Sequence, residues 1–166
     1  MDVMPWEIWV RATWLSTFVR QHVWLWPVLE TLHYFGLSLL IGTVALFDLR
    51  ILGVAKEIAP SALHRLIPLG VAGFLLNLLT GIGFFFAFAD QYAYNSAFQV
   101  KLALIALAGL NLLLFYATAF DEVRHLGAGS QAPLRARIFV AISLAAWLGV
   151  LICGRLLTFF RPGFFH

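Results

Sequence analysis

Charge is what this chain has least of: Asp, Glu, Lys and Arg together make up 11% of its 166 residues. Ordinary soluble domains carry about 25%. So few polar side chains cannot cover a soluble fold, which excludes a typical soluble enzyme. A disordered chain is excluded for the opposite reason, since such chains are poor in apolar residues. Cysteine occurs once, as Cys153. One thiol rules out a disulfide framework or a thiolate cluster within the chain. Set in an apolar run, it reads as a buried, inert side chain. Catalytic signatures are missing too. There is no G-x-S-x-G, the Cys has no His near it in sequence, and no Walker or dinucleotide glycine motif occurs. Basic runs are absent. The net charge is +3 and the pI near 9.4, yet the Lys and Arg residues are scattered singly. That pattern does not track phosphates, so no nucleic-acid partner is expected.

What is there is apolar. Hydrophobic residues reach 62% and the mean hydropathy is +0.90. About 20 apolar residues cross a bilayer as a helix. Four stretches have that length, at residues 28–47, 66–89, 99–120 and 137–160. Pro27 suits a helix's first turn, Pro60 and Pro133 fall in connections, and Gly127 and Gly129 loosen the third connection. The sequence therefore predicts an all-α integral membrane protein, a four-helix bundle over residues 28–166. Residues 1–27 do not read as a signal peptide, because Asp2 and Glu7 stand where positive charge belongs. Trp6, Trp9, Trp14 and Trp24 beside Arg11 and Arg20 predict an amphipathic helix lying in the headgroup region. A segment packed on the bundle end is the alternative.

The spacing of small and polar residues predicts packing seams. Helix 2 carries Gly70, Gly73, Asn77, Thr80, Gly81 and Phe84. Helix 3 aligns Leu104, Ala108, Asn111, Phe115 and Thr118, and helix 4 aligns Ala141, Ala145, Gly149 and Cys153. Asn77 and Asn111 fall at similar depth and are expected to bond each other or a backbone carbonyl. Tyr92 and Tyr94 sit where interfacial aromatics belong.

Ionisable groups inside a bilayer are costly and mark candidate sites. Glu30 and His33 share a face of helix 1. Lys101 opens helix 3 and Arg155 lies near the end of helix 4, so all four are expected at one depth. They suit an ion-pair network with snorkelling cations or a cofactor site in equal measure. A second group, Asp48, Arg50, His64, Arg65, Asp121, Glu122, Arg124 and His125, falls at the opposite edge. Headgroup solvation and charge pairing account for these.

Histidine in a membrane bundle points to haem, for which imidazole is an axial ligand. One haem cannot bridge the bilayer, so His33 would pair with His22 or His166, and His64 with His125. Five-coordinate haem b on His33, with Arg155 or Lys101 at the propionates, is the simpler arrangement. Glu30 and His33 supply two metal ligands, too few to close a zinc site.

The runs LHYFGLSLLIGTVALFDLRILG (32–53), GFLLNLLTGIGFF (73–85) and FQVKLALIALAGLN (98–111) resemble an uncharacterised family of small bacterial four-helix membrane proteins. The matching positions are His33, Asp48-Leu49-Arg50 with Leu52-Gly53, Thr80-Gly81, Lys101 and Gly109-Leu110-Asn111. Some members carry a His shortly after that Asn, where this chain reads Phe115-Tyr116. More distantly the layout is similar to small b-type cytochromes and copper-resistance membrane domains. The resemblance implies the fold and a bacterial inner (cytoplasmic) membrane, and no set activity.

Orientation follows the positive charges. Arg50, Lys56, Arg65, Arg124, Arg135 and Arg137 lie on one side, against Arg11, Arg20, Lys101, Arg161 and Arg155, which puts both termini outside. The leading expectation is a b-type haem or redox protein carrying electrons, rather than a hydrolase or transferase. One rival is a structural or accessory subunit in a homo-oligomer or larger complex, held by the Trp-rich start and Phe159, Phe160, Phe164 and Phe165. Another is a small transporter or quinone-binding protein. Membrane lipid is a partner in every case.

Overall fold

A computed structural model describes residues 5–160, and they contain helices and no strand. Two short helices come first, α1 (Pro5–Ala12) and α2 (Trp14–Gln21). Thr13 separates them and caps α2, accepting from the Ser16 amide at 3.3 Å. The long α3 (Leu25–Leu52) follows, then α4 (Pro60–His64) and α5 (Ile67–Ala87). Pro68 in the first turn of α5 has no amide to continue the ladder from α4, so the second span is jointed there. The connection α6 (Ala89–Ala93) leads to α7 (Ser96–Thr118), and α8 (Phe120–Arg124) precedes α9 (Leu134–Leu156). Four spans are long and apolar enough to cross a membrane: α3, α4 with α5, α7 and α9. The protein is thus an all-α, multi-pass membrane bundle.

The first span overruns its expected end. Helix α3 has 28 residues, about 42 Å at 1.5 Å per residue, against a hydrocarbon core of about 30 Å. It starts before Pro27 and stops at Gly53, whose φ of 107° closes a left-handed cap with its amide on Arg50 and Leu49 carbonyls. Asp48 and Arg50 therefore belong to the helix and not to a connection. The N-terminal segment is two helices docked on the bundle: α2 lies along α5, and α1 against α6 and α5. Arg11 pairs with Asp90 at 2.6 Å, and the Trp6 and Tyr94 rings lie 6.3 Å apart. Trp9, Trp14 and Trp24 stay exposed. This end of the molecule, with α6, is labelled outer and the opposite end inner.

The spans pack as two hairpins. α3 packs along α5 and α7 along α9, and α3 against α9 joins the two. Gly36 and Gly73 let the backbones of the first hairpin approach closely. A Cβ on Gly73 would stand 2.5 Å from the Gly36 carbonyl, so only glycine fits. Gly81, expected in the same seam, faces open space. Asn77 and Asn111 do not bond each other. Asn77 donates to Gly73 of its own helix and Asn111 to the Phe139 carbonyl of α9, each at 3.0 Å. In α9 the expected Ala141 and Ala145 are exposed, and the packed residues are Ala136, Val140, Ala146, Val150 and Cys153.

Two side chains tie the ends. Asn95 caps α7 through the Ala97 and Phe98 amides and donates to the Leu157 carbonyl at 2.9 Å, fixing the end of α9. At the inner end Arg50 is 1% exposed. Its guanidinium donates to the Ile58, Gly127 and Ser130 carbonyls, binding both inner connections to α3. Beside it an apolar core forms from Phe47, Ile51, Phe115, Val123, Ala136 and Val140.

Candidate functional site

The histidines are dispersed. His22 ends α2, its Nδ1 2.9 Å from the Phe18 carbonyl. His64 meets the Tyr116 hydroxyl through Nε2 at 2.9 Å, and its ring lies 4.6 Å from that of Phe120, tilted by 35°. His125 is exposed and accepts from Arg124 at 3.0 Å. His64 and His125 thus have separate partners. His166 lies outside the described residues.

His33 lies on α3 and is tied to the neighbouring helix α5. Its Nδ1 lies 2.7 Å from Thr80 Oγ1 on α5. The Thr80 hydroxyl also lies 2.8 Å from the Leu76 carbonyl. With its proton given to that carbonyl, a neutral His33 donates from Nδ1 and keeps its lone pair on Nε2. Lys101 lies near enough to interact electrostatically with both His33 and Cys153. The other two residues expected at this depth are not drawn in. Glu30 is exposed, and Arg155 turns out over the Phe159 ring, 5.8 Å from its centre. Among the described residues the ion pairs are Arg11–Asp90 and Arg124–Asp121, and no three His, Cys, Asp or Glu residues group as metal ligands.

A cavity of about 220 Å³ lies elsewhere, in the inner half of the bundle. All four spans line it, but α5 and α7 make no sustained contact with one another. Val71 on α5 and Gly109 and Leu112 on α7 are exposed at its rim. It opens sideways, between α5 and α7, onto the face a four-span protein presents to lipid. Its wall holds Phe47, Phe74, Phe115, Phe139, Tyr116 and Trp147.

One carboxyl interrupts that wall. Asp48 lines the cavity, is 5% exposed, and has no hydrogen-bond partner at Oδ2. Its polar neighbour is the Ser143 side chain on α9. Arg50, two residues on, is turned away to the connections. Sequence reasoning placed Asp48 among headgroup charges, because it ended the first span at residue 47. Gly53 was the available signal: a C-terminal cap there adds a turn to the helix and takes Asp48 inside.

Family models, curated proteins and solved structures all give no match to the chain. Fold and site together define a class: a multi-pass helical membrane protein with a lipid-facing cavity and one buried carboxyl on its wall.

Proposed function

We propose that this protein binds a small lipid-soluble molecule within the bilayer, as a carrier, receptor or accessory subunit. One observation carries the reading: the cavity between α5 and α7, mostly apolar, with Asp48, Ser143 and Asn111 among its few polar lining residues. Sites for small molecules are concave, mostly apolar and furnished with few polar groups, often between the helices of bundles. Lateral access suits a ligand that arrives dissolved in lipid. The orientation with termini outside rests on the Lys and Arg count, the bacterial cytoplasmic membrane on the family resemblance, and both belong to the same proposal.

Trp147 on the wall reports occupancy. A brominated alkylbenzene titrated into protein in nanodiscs is expected to quench tryptophan emission saturably, and Trp147→Phe is expected to remove that component. Gly109→Phe fills the rim, where a Cβ meets nothing within 4 Å, and should abolish saturation. Quenching that rises linearly and equally in all three proteins overturns the reading.

His33 supports a second reading, a b-type haem or redox protein. A ligating histidine usually donates its other ring N–H to a fixed acceptor, and the Thr80 contact has that form. Haem bound at Nε2 would supply electron transfer. An oxidised and dithionite-reduced absorption spectrum decides: a Soret band lost in His33→Ala supports it, and a featureless spectrum after expression with ample haem removes it.

A further inference from the structure

We infer that the cavity takes a lipid-soluble organic cation, a protonated amine on a small apolar body, with Asp48 as its counter-charge. This rests on the reading of the cavity as a ligand site and adds the chemistry of the ligand.

The inference starts from what Asp48 lacks. It is 5% exposed, and its Oδ2 has no hydrogen-bond partner. No ion pair reaches it among the described residues, where the pairs are Arg11–Asp90 and Arg124–Asp121. Arg50 is spent on the Ile58, Gly127 and Ser130 carbonyls. Ser143 gives Asp48 a neutral hydrogen-bond partner but no counter-charge, and a buried carboxylate without a counter-charge is strongly disfavoured. The cavity is the direction from which a partner can come, since Asp48 lines it.

The walls point to the sign of that partner. Phe47, Phe74, Phe115, Phe139, Tyr116 and Trp147 all line one space. Aromatic faces attract cations, most strongly where water is excluded. A quinone carbonyl accepts hydrogen bonds and would need Asp48 protonated, whereas an ammonium is held by the carboxylate itself. Size narrows the ligand further. About 220 Å³ is below the roughly 300–1,000 Å³ of drug-sized sites. One aromatic ring with a short alkyl arm is the right scale. The ammonium donates to Oδ2 while the ring lies among the aromatic side chains.

The test uses an isosteric pair, 4-phenylbutylamine, protonated at neutral pH, and pentylbenzene, which puts a methyl where the ammonium stands. Binding is measured by equilibrium dialysis against the full chain in nanodiscs, with empty nanodiscs subtracted. Wild type is expected to bind both, and the amine more tightly. Asp48→Asn is expected to weaken the amine by about tenfold or more, the scale for losing one partner of a buried charge pair, and to leave pentylbenzene within about twofold. If the variant does not fold, the wild-type order stands alone as the test, and pentylbenzene binding as tightly as the amine overturns the inference. Equal amine binding by wild type and Asp48→Asn overturns it too, while saturable pentylbenzene binding keeps the cavity reading. Neither compound binding above empty nanodiscs removes the cavity reading itself.

Discussion

Arg50 and Asp48 stand two residues apart and meet opposite fates. Arg50 is buried with its charge spread over three carbonyls, and Asp48 is buried with one oxygen bare. Removing the guanidinium strips a donor from three connection carbonyls at once. Arg50→Ala is therefore expected to destabilise the fold by about 3 kcal/mol, read as a lowered thermal midpoint in detergent. The sequence flagged His33 and Lys101 correctly as ionisable groups within the spans, because an isolated polar letter in an apolar run is visible without coordinates. It could not separate Asp48 from its charged neighbours, since that depends on where the helix stops and which way it turns. A milder residue-scale effect lies at the outer end. The Tyr94 hydroxyl donates to Glu7, and this holds the phenol above its ordinary value of 10.0. A raised folded value means the contact contributes below the ordinary value and is lost as pH climbs through the raised one. Glu7→Gln is expected to move one tyrosine's titration downward, followed by phenolate absorbance.

At the scale of elements, the α3–α5 seam shows what periodicity conveys and what it misses. The buried positions of α5 are Gly70, Gly73, Thr80, Gly83 and Ala87. Their spacing alternates near three and four, the seam of two helices that wrap around each other. Thr80 is on it and Gly81 is one step off. Both belonged to the stripe read from the sequence, because adjacent small residues look alike until a partner helix chooses between them. Gly73→Ala is expected to cost about 1–3 kcal/mol through overpacking, since its Cβ would press on the Gly36 carbonyl. Gly81→Ala meets nothing within 4 Å and is expected to be neutral or slightly stabilising. Thermal melts of the two variants side by side make the comparison. Asn111 behaves as interhelix glue through Phe139, one of the roles its depth suggested.

For the whole molecule, four spans were legible from length and hydropathy alone, because burying backbone in lipid leaves a helix few alternatives. The open side between α5 and α7 was not. Lipid tails are as apolar as a leucine on a neighbouring helix, so a face turned to lipid and a face turned to a helix share one composition. Access distinguishes them. Ala108 at 5% and Ala136 at 0% exposure are both buried alanines, but Ala108 lines the cavity and Ala136 sits in the closed inner core. In a Cys153→Ser background, Ala108→Cys is expected to react with a bilayer-soluble maleimide, and Ala136→Cys to resist it. Equal protection of both would mean the side opening is shut.

The Arg50 clamp also sets an order in time. As the chain leaves the ribosome, α3 and α5 can pair at their glycines before α7 exists. At that stage Arg50 can find the Ile58 carbonyl, but Gly127 and Ser130 are not yet made. The guanidinium must wait, solvated at the membrane surface, until the stretch before α9 arrives. Its burial is then a late step of biogenesis, and a chain halted after the first hairpin keeps an exposed cation that a finished one does not.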